Sequence, residues 1–330
     1  MRTNVPRVRT TVLIAVLSLF SLQSFSQSIT SGNGKYEFGL GLGPLFFLGD
    51  LGGNSGVGTT FLKDVNLPLT KLSKGLFANV YPAEWLGFRV AINHGVLEGD
   101  DSRIEEKGTG AEQYRKIRNL KFKSSMFEAY VATEIYPSVF FEQYDGLKGK
   151  LRPYGVLGVG MMKFNPKGEY FDATGTSSQW VDLKPLRLEG QGMKEYESRK
   201  EYKLSTLEIP MGFGAKYYLK ENMYVGLEVL HRKTFTDYID DVSTNYIDAN
   251  LFASYLTPQQ TAMANQLHYR ENFVPGGVLQ RPSPSVGEQR GDPTENDSFF
   301  STILRFGWRL NDSNSPNGRA ARQMRCPSFY

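Results

Sequence analysis

The sequence predicts an all-β protein: an eight-stranded antiparallel transmembrane β-barrel with long extracellular loops and short periplasmic turns. Three observations lead to this prediction. Apolar residues alternate with small or charged ones in eight segments, the connections between the segments alternate in length, and the N-terminus carries an export signal. Bacterial outer-membrane barrels combine an even number of alternating strands with short periplasmic turns and longer outer loops.

The clearest alternation lies in residues 206–230. Every second residue from Leu207 to Leu219 is apolar, whereas the intervening positions include Glu208, Lys216 and two glycines. The pattern resumes after a turn at 220–222, so these two segments form a β-hairpin. A soluble β-sandwich would also have one apolar face, but glycines and isolated charges on the other face suit the narrow interior of a small barrel.

The other strands follow from the same pattern. The eight predicted strands are 36–47, 71–81, 86–96, 119–136, 154–164, 206–219, 223–230 and 300–310. Long connections follow the first, third, fifth and seventh strands, and the segments 98–118, 165–201 and 234–296 are predicted to be loops. Pro210 falls inside a strand, where it cannot donate a hydrogen bond, and we expect a β-bulge there. Three tyrosines are predicted to form an interfacial girdle: Tyr217, Tyr218 and Tyr224.

The N-terminus has the pattern of a secretory signal peptide. Three arginines precede an apolar run at 12–20, and small residues before Gln27 predict cleavage after Ser26. The domains are then a signal peptide (1–26), a barrel (27–311) and a periplasmic tail (312–330), which is either a flexible end or a docking segment. Removing three arginines lowers the net charge from +4 to about +1, so the basic isoelectric point gives no reason to expect nucleic-acid binding. A lone cysteine, Cys326, excludes an internal disulfide and lies far from the cleavage site, which argues against a lipoprotein.

Charged residues recur at the positions that alternate with the apolar ones. We expect nine of them to meet in the lumen as a mixed-sign polar network: Glu37, Arg89, Glu128, Glu134, Glu208, Lys216, Glu228, Arg305 and Arg309. Buried charges need partners of opposite sign, and eight strands leave an interior that side chains can fill. The sequence therefore predicts a plugged barrel rather than an open pore.

No catalytic, cofactor or metal site is predicted. His94 and His231 fall on the outward-facing side near the outer rim, where a lipid-modifying enzyme could act, but neither forms a His-x-Ser pair that would supply a base and a nucleophile. His268 has no ligand neighbour at zinc spacing. The four aspartates 237, 240, 241 and 248 could supply oxygen ligands to calcium, but they lack the spacing of an EF-hand loop, and a hydrogen-bonded loop is the favoured alternative.

Two stretches carry a family resemblance. The start 36–51, with Phe46-Phe47-Leu48-Gly49-Asp50-Leu51, and the segment Thr236-Asp237-Tyr238-Ile239-Asp240-Asp241-Val242-Ser243 resemble a group of Bacteroidetes outer-membrane barrels. That group includes the PorG component of the type IX (Por) secretion system. The resemblance implies an eight-stranded outer-membrane barrel, marks Asp237, Tyr238, Asp240 and Asp241 as a family-motif loop and, for a PorG-like role, implies association with a periplasmic ring of the secretion machine.

Three functions remain open at this point. The first is a non-enzymatic accessory or assembly role in the outer membrane, in contact with outer-membrane lipid, with type IX secretion as the process that the resemblance implies. The second is surface binding through the long loops, which is where a filled barrel can carry specificity. The third is a lipid-modifying barrel enzyme, which the missing nucleophile and base disfavour.

Overall fold

The computed structural model describes residues 36–51, 70–104, 111–142, 147–172, 174–270 and 285–310. The predicted signal peptide and its cleavage site, and the tail at 312–330 with Cys326, lie outside these residues. None of the helices in the described part is long and apolar enough to cross a membrane.

Eight strands close into an antiparallel barrel, as the sequence predicts. In chain order the nine strands are β1 (Tyr36–Leu48), β2 (Lys71–Ala83), β3 (Leu86–Asp100), β4 (Lys121–Ile135), β5 (Leu151–Phe171), β6 (Ser178–Asp182), β7 (Ser205–Lys220), β8 (Met223–Thr234) and β9 (Ser298–Leu310). Every strand except β6 pairs with two barrel neighbours, and the β1–β9 and β4–β5 pairings complete the ring. We call the end with the connections β2–β3, β4–β5 and β7–β8 the short-turn end, and the opposite end the long-loop end.

All three predicted loops contain regular structure. The strand predicted at 154–164 continues to Phe171 and pairs with β6, and β3 continues to Asp100. The helices are α1 (Ala111–Arg118), α2 (Phe252–Tyr255) and α3 (Pro258–His268). The end of β5 was predicted too early because its outward-facing residues beyond Met161 are polar. The apolar alternation therefore stops at a point where the strand continues.

The expected bulge at Pro210 is wrong. Leu157 pairs with Met211 and Gly160 pairs with Glu208, so β5 and β7 keep one register on both sides of the proline. Pairing with β5 is interrupted at residues 209 and 210, while Pro210 stays in register with Arg232 of β8. Proline has no backbone N–H to donate, so the pairing between β7 and β5 is interrupted there, but no extra residue is inserted into the strand as a bulge would require.

The outer wall is an apolar belt. Large apolar side chains exposed on it come from all eight barrel strands: Phe38, Leu42, Leu76, Val80, Val90, Ile92, Val131, Leu157, Val159, Leu207, Phe213, Leu227 and Leu304. A water-soluble protein rarely exposes a continuous apolar surface of this extent. The wall is thus suited to lipid, and the alternation places the polar residues inside.

The long connections fold over the long-loop end as a cap. The cap shares a hydrophobic core with the upper barrel, and this core includes Leu97, Phe122, Leu188, Val242 and Phe252, each at most 1% exposed. Helix α3 adds Ala264 and Leu267 to it, and a capping box of Thr257 and Gln260 begins that helix. The described parts of the long loops are therefore packed structure.

Candidate functional site in the barrel interior and the cap

The nine predicted lumen residues all lie inside the barrel. Each is at most 2% exposed: Glu37, Arg89, Glu128, Glu134, Glu208, Lys216, Glu228, Arg305 and Arg309. Eight of them join ion pairs, most of which cross the lumen, and they form layers from the short-turn end upward.

One layer is centred on Lys216. Its Nζ lies 2.7 Å from Oε1 of Glu37 and 3.3 Å from Oε2 of Glu134, and it donates to the Tyr81 hydroxyl at 2.8 Å. Four tyrosine rings surround this ammonium, with centroids 4.6–5.5 Å away: Tyr81, Tyr136, Tyr154 and Tyr224. The cation is thus compensated by two carboxylates and by the electron-rich ring faces.

The next layer alternates cations and anions. Arg89 pairs with Glu134 and, at 2.8 Å, with Glu228. Glu228 in turn accepts hydrogen bonds from Arg305 at 2.5 Å and from the Tyr154 hydroxyl at 2.6 Å. Because β3, β4, β8 and β9 each supply a member, the layer spans the interior and blocks a continuous aqueous path.

The layer nearest the cap contains Arg232, which is not among the nine lumen residues predicted from the sequence. Arg232 Nη2 donates to Glu128 Oε1 at 2.7 Å, and Asn93 donates to the same oxygen at 2.6 Å. Arg232 lies beyond the predicted end of its strand at residue 230, although it has the same parity as Glu228 and the alternation could have been followed to it. Glu208 is buried beside Gly160 and accepts no hydrogen bond within the described residues.

A second missed cluster closes the short-turn end. Glu84 accepts hydrogen bonds from Arg152 at 2.5 Å and from Arg309 at 3.1 Å, and Glu142 binds Arg152 at 2.7 Å. Glu84 belongs to the turn between β2 and β3, and Glu142 follows β4, so neither shows strand alternation. Only the fold brings these turn carboxylates under the barrel.

The tyrosine girdle is only partly correct. Tyr217 is 47% exposed on the wall, but Tyr218 and Tyr224 are 1% and 2% exposed and lie in the interior. Tyr224 donates to Glu37 at 2.7 Å. These two tyrosines occupy the inward-facing positions of the two-residue repeat of β7 and β8. That repeat decides their direction, rather than the general tendency of aromatic residues to gather at membrane interfaces.

The two resemblance stretches meet in the cap. The Asp240 carboxylate accepts from the Leu51 amide at 3.1 Å and from the Val242 amide at 2.9 Å. Tyr238 stacks on Tyr202 with ring centroids 4.6 Å apart, and the Tyr202 hydroxyl donates to Asp241 at 2.6 Å. The family-motif loop is thus a hydrogen-bonded turn that fastens the end of β1 to the end of β8.

Carboxylates are concentrated at this junction, which lies outside the strands. Burial raises the pKa of Asp237 to about 8, and nearby Asp50 and Glu189 add to that effect. Burial raises the pKa of Asp50 to about 6 and holds those of Asp240 and Asp297 well above their usual range. Asp297 accepts from the Ile239 amide at 2.8 Å, and Arg118 and Arg290 are the cations that offset the cluster.

The calcium alternative is not supported by this arrangement. Asp248 lies apart from the junction and accepts from the Asn250 amide at 3.0 Å, at the start of a short 3-10 turn. Among the described residues, no group of three or more His, Cys, Asp or Glu side chains could hold a metal ion. The carboxylates of the motif loop hold backbone amides instead.

The protonated junction leads to a testable pH dependence. Between about pH 4 and pH 8 the folded cap holds a proton on Asp237 that the unfolded segment releases, so cap stability falls as the pH rises through that window. We expect backbone amides of 236–243 to exchange with deuterium faster at pH 8.5 than at pH 5, after correction for intrinsic rates. Asp237→Asn should reduce this difference, and the raised pKa values of Asp240 and Asp297 account for the part that remains.

Asp172 is the matched control, because the pKa of its solvent-accessible carboxylate is lowered by hydrogen bonds from Ser177 and Thr174 and it is not among the groups that shift the pKa of Asp237. Asp172→Asn should leave the pH dependence in place. Equal exchange of the junction at both pH values in the unmodified protein would contradict the assignment.

The histidines do not form a catalytic site in the described residues. His94 lies on the outer wall, and its Nε2 is 3.5 Å from Ser125 Oγ, but no acid orients the ring as a nucleophile–base system requires. His231 is half-buried on the wall side. His268 is buried in the cap and donates from Nδ1 to the Leu188 carbonyl at 2.8 Å, which is a structural role.

The closed antiparallel barrel with an apolar wall and a charged interior defines the class of fold: a β-barrel of the outer-membrane type.

No protein-family model matches the chain, and no curated protein matches it. Solved structures of similar fold include the attachment invasion locus protein Ail of Yersinia pestis, at 8% identity and a TM-score of 0.34, with 84% of this chain and 99% of that chain covered. They also include the outer membrane protein OprG of Pseudomonas aeruginosa, at 10% identity, a TM-score of 0.34, and 84% and 96% coverage. A major outer membrane protein of Thermus thermophilus has 11% identity, a TM-score of 0.37, and 83% and 99% coverage.

Proposed function

We propose that this chain is a non-enzymatic, integral outer-membrane protein in which a filled barrel anchors a folded cap, and that the cap binds a partner at the cell surface. The observation that carries the proposal is that the molecule consists of three parts with different surfaces: an outer wall, a filled lumen and a cap. The wall is apolar, the lumen is closed by ion pairs, and the long connections form a packed cap over one end. In this orientation the short-turn end faces the periplasm, as in other barrels.

The membrane part of the proposal predicts heat-modifiable migration. A folded barrel resists detergent at room temperature and unfolds on boiling, so the two samples should migrate differently, and the protein should fractionate with outer membranes. The ion pairs across the lumen predict no stepwise conductance in planar bilayers. A soluble product without a mobility shift would overturn the membrane assignment, and an open-pore conductance would overturn the filled lumen.

The binding part is tested by site-specific photo-crosslinking in cells. A photoreactive residue at Ser254, exposed on α2 in the cap, should give a protein adduct, whereas one at Leu207 on the wall should give none. A cap that yields no protein adduct at Ser254 or at other exposed cap positions would leave the barrel an anchor without a surface partner.

A second candidate is the accessory role in type IX secretion. The supporting observation is that the two resemblance stretches contact each other through Asp240 and Leu51, so the residues that carry the resemblance act as one unit. Pull-down of the native complex should recover periplasmic ring proteins, and a version ending at Asn311 should lose them if the tail docks. A barrel recovered alone, in cells whose secretion survives its deletion, would rule out this role.

A lipid-modifying activity is the third candidate function, and it has a simple test. Ser125→Ala would abolish any activity that used the Ser125–His94 contact. Unchanged lipid profiles in cells with and without the protein would agree with the non-enzymatic proposal.

A further inference from the structure

The outer wall carries a group of basic and polar residues just above its apolar belt. On strands β2, β3 and β5 an outward-facing basic residue follows the belt toward the long-loop end: Lys74 after Leu76, His94 after Ile92 and Lys163 after Met161, with Leu72 exposed beyond Lys74. On β4 the corresponding residues are Ser125 and then Lys123. We call Lys74, His94, Ser125, Lys123 and Lys163 the rim patch.

Strand pairing makes this patch continuous. Lys74 pairs with His94 in register, and Ser125 lies 3.5 Å from the His94 ring nitrogen. His94 pairs with Phe127, and Phe127 pairs with Lys163. Lys74 and Lys163 therefore flank a histidine, a serine and one aromatic ring on a single wall of the barrel.

Within the residues that the structure describes, the lysines of the patch form no ion pair with a carboxylate. Glu98, Glu169 and Asp182 lie on the same strands and on β6 toward the long-loop end, and each already holds another lysine. Lys74 and Lys163 make no ion pair within the described residues, and both are exposed. Lys123 lies 5.6 Å from the ring centroid of Trp180. Glu98 faces Lys123 in register but binds Lys71, so Lys74 and Lys163 are the two positive charges on this wall that an external anion can neutralise.

We propose that the rim patch binds the phosphate groups of phosphorylated lipid in the outer leaflet. The proposal rests on the proposed membrane location and orientation. A lipid source is favoured because the lysines share a wall with lipid-facing Leu76 and Met161, so one bound molecule contacts the belt with its acyl chains and the patch with its phosphates. Lysine side chains reach such headgroups while their methylenes cover apolar wall.

The test uses the full chain refolded in detergent, with heat-modifiable migration confirming the fold of each variant. Binding of diphosphorylated lipid A is titrated and compared with dephosphorylated lipid A and with inorganic phosphate. Each lysine near an anionic headgroup contributes about a fivefold factor in affinity, so Lys74→Gln/Lys163→Gln should weaken diphosphorylated lipid binding by roughly 30-fold. Dephosphorylated lipid should bind weakly to the unmodified protein and be insensitive to the substitutions.

Lys233→Gln is the matched control, because Lys233 is exposed and outward-facing at the long-loop end of β8, away from the patch. An equal loss from this control would show diffuse charge attraction and overturn the patch. Equal binding of both lipid forms, or competition by inorganic phosphate at the same affinity, would overturn the lipid assignment. A folded, heat-modifiable protein that binds no phosphorylated lipid defeats this inference while leaving the proposed membrane anchor intact.

Discussion

Replacing Lys216 with methionine is expected to destabilise the barrel by about 3–5 kcal/mol, because breaking a buried ion pair leaves its partners uncompensated. In the folded protein Lys216 binds Glu37 at 2.7 Å and Glu134 at 3.3 Å, and all three side chains are fully buried. Methionine fills a similar volume without the charge. The measurement is urea-dependent unfolding in lipid vesicles, followed by the loss of the heat-modifiable band.

The control for this prediction is Lys220→Met, since Lys220 is exposed at the end of the same strand. It should leave the unfolding midpoint nearly unchanged. Adding Glu37→Gln to Lys216→Met should recover part of the loss, because Glu37 is then the carboxylate left without a cation, whereas Glu134 keeps its ion pair with Arg89. A Lys216→Met barrel as stable as the unmodified one would refute the charge network as a stabilising element.

Placing arginine at Leu157 is expected to cost about 2–4 kcal/mol, the depth-dependent penalty for a cation at the lipid-facing midplane of a barrel. Leu157 is 61% exposed, and its neighbours on the wall are Met211 and Val159 together with Thr133. The free energy of unfolding of Leu157→Arg in vesicles measures the penalty directly.

Leu219→Arg is the matched comparison, because Leu219 is also on the wall (48% exposed) but next to the turn at the short-turn end. Its penalty should be about 0–1 kcal/mol, since the cost falls toward the interface. Equal penalties at the two positions would show that the belt does not span the bilayer as proposed.

Much of the barrel could be predicted from the sequence because a strand's period of two fixes which side chains face inward. Glu128 and Arg305 could be assigned to the interior from parity alone, without knowing which strands adjoin. The limits were also physical. Where both faces of a strand become polar, as in β5 beyond Met161, the alternation no longer marks the strand.

The cap could not be predicted in the same way. Its core joins Phe122, Leu188 and Val242 from segments far apart in the chain, and no period connects them. Glu84 shows the same limit at the other end, because a turn residue has no parity. The resemblance stretches marked Asp240, but only the fold shows that its carboxylate holds the Leu51 amide.

The lumen pairs also set conditions on how the protein folds. Glu37 on β1 meets Lys216 on β7, Arg89 on β3 meets Glu228 on β8, and these strands are not adjacent in the sheet. Such pairs form only once the β1–β9 seam has closed, and that seam joins residues near opposite ends of the barrel sequence. An open sheet therefore has unpaired charges, while closure removes them together. The last step of assembly is then cooperative and slow, since long-range closure must precede the contacts that stabilise it.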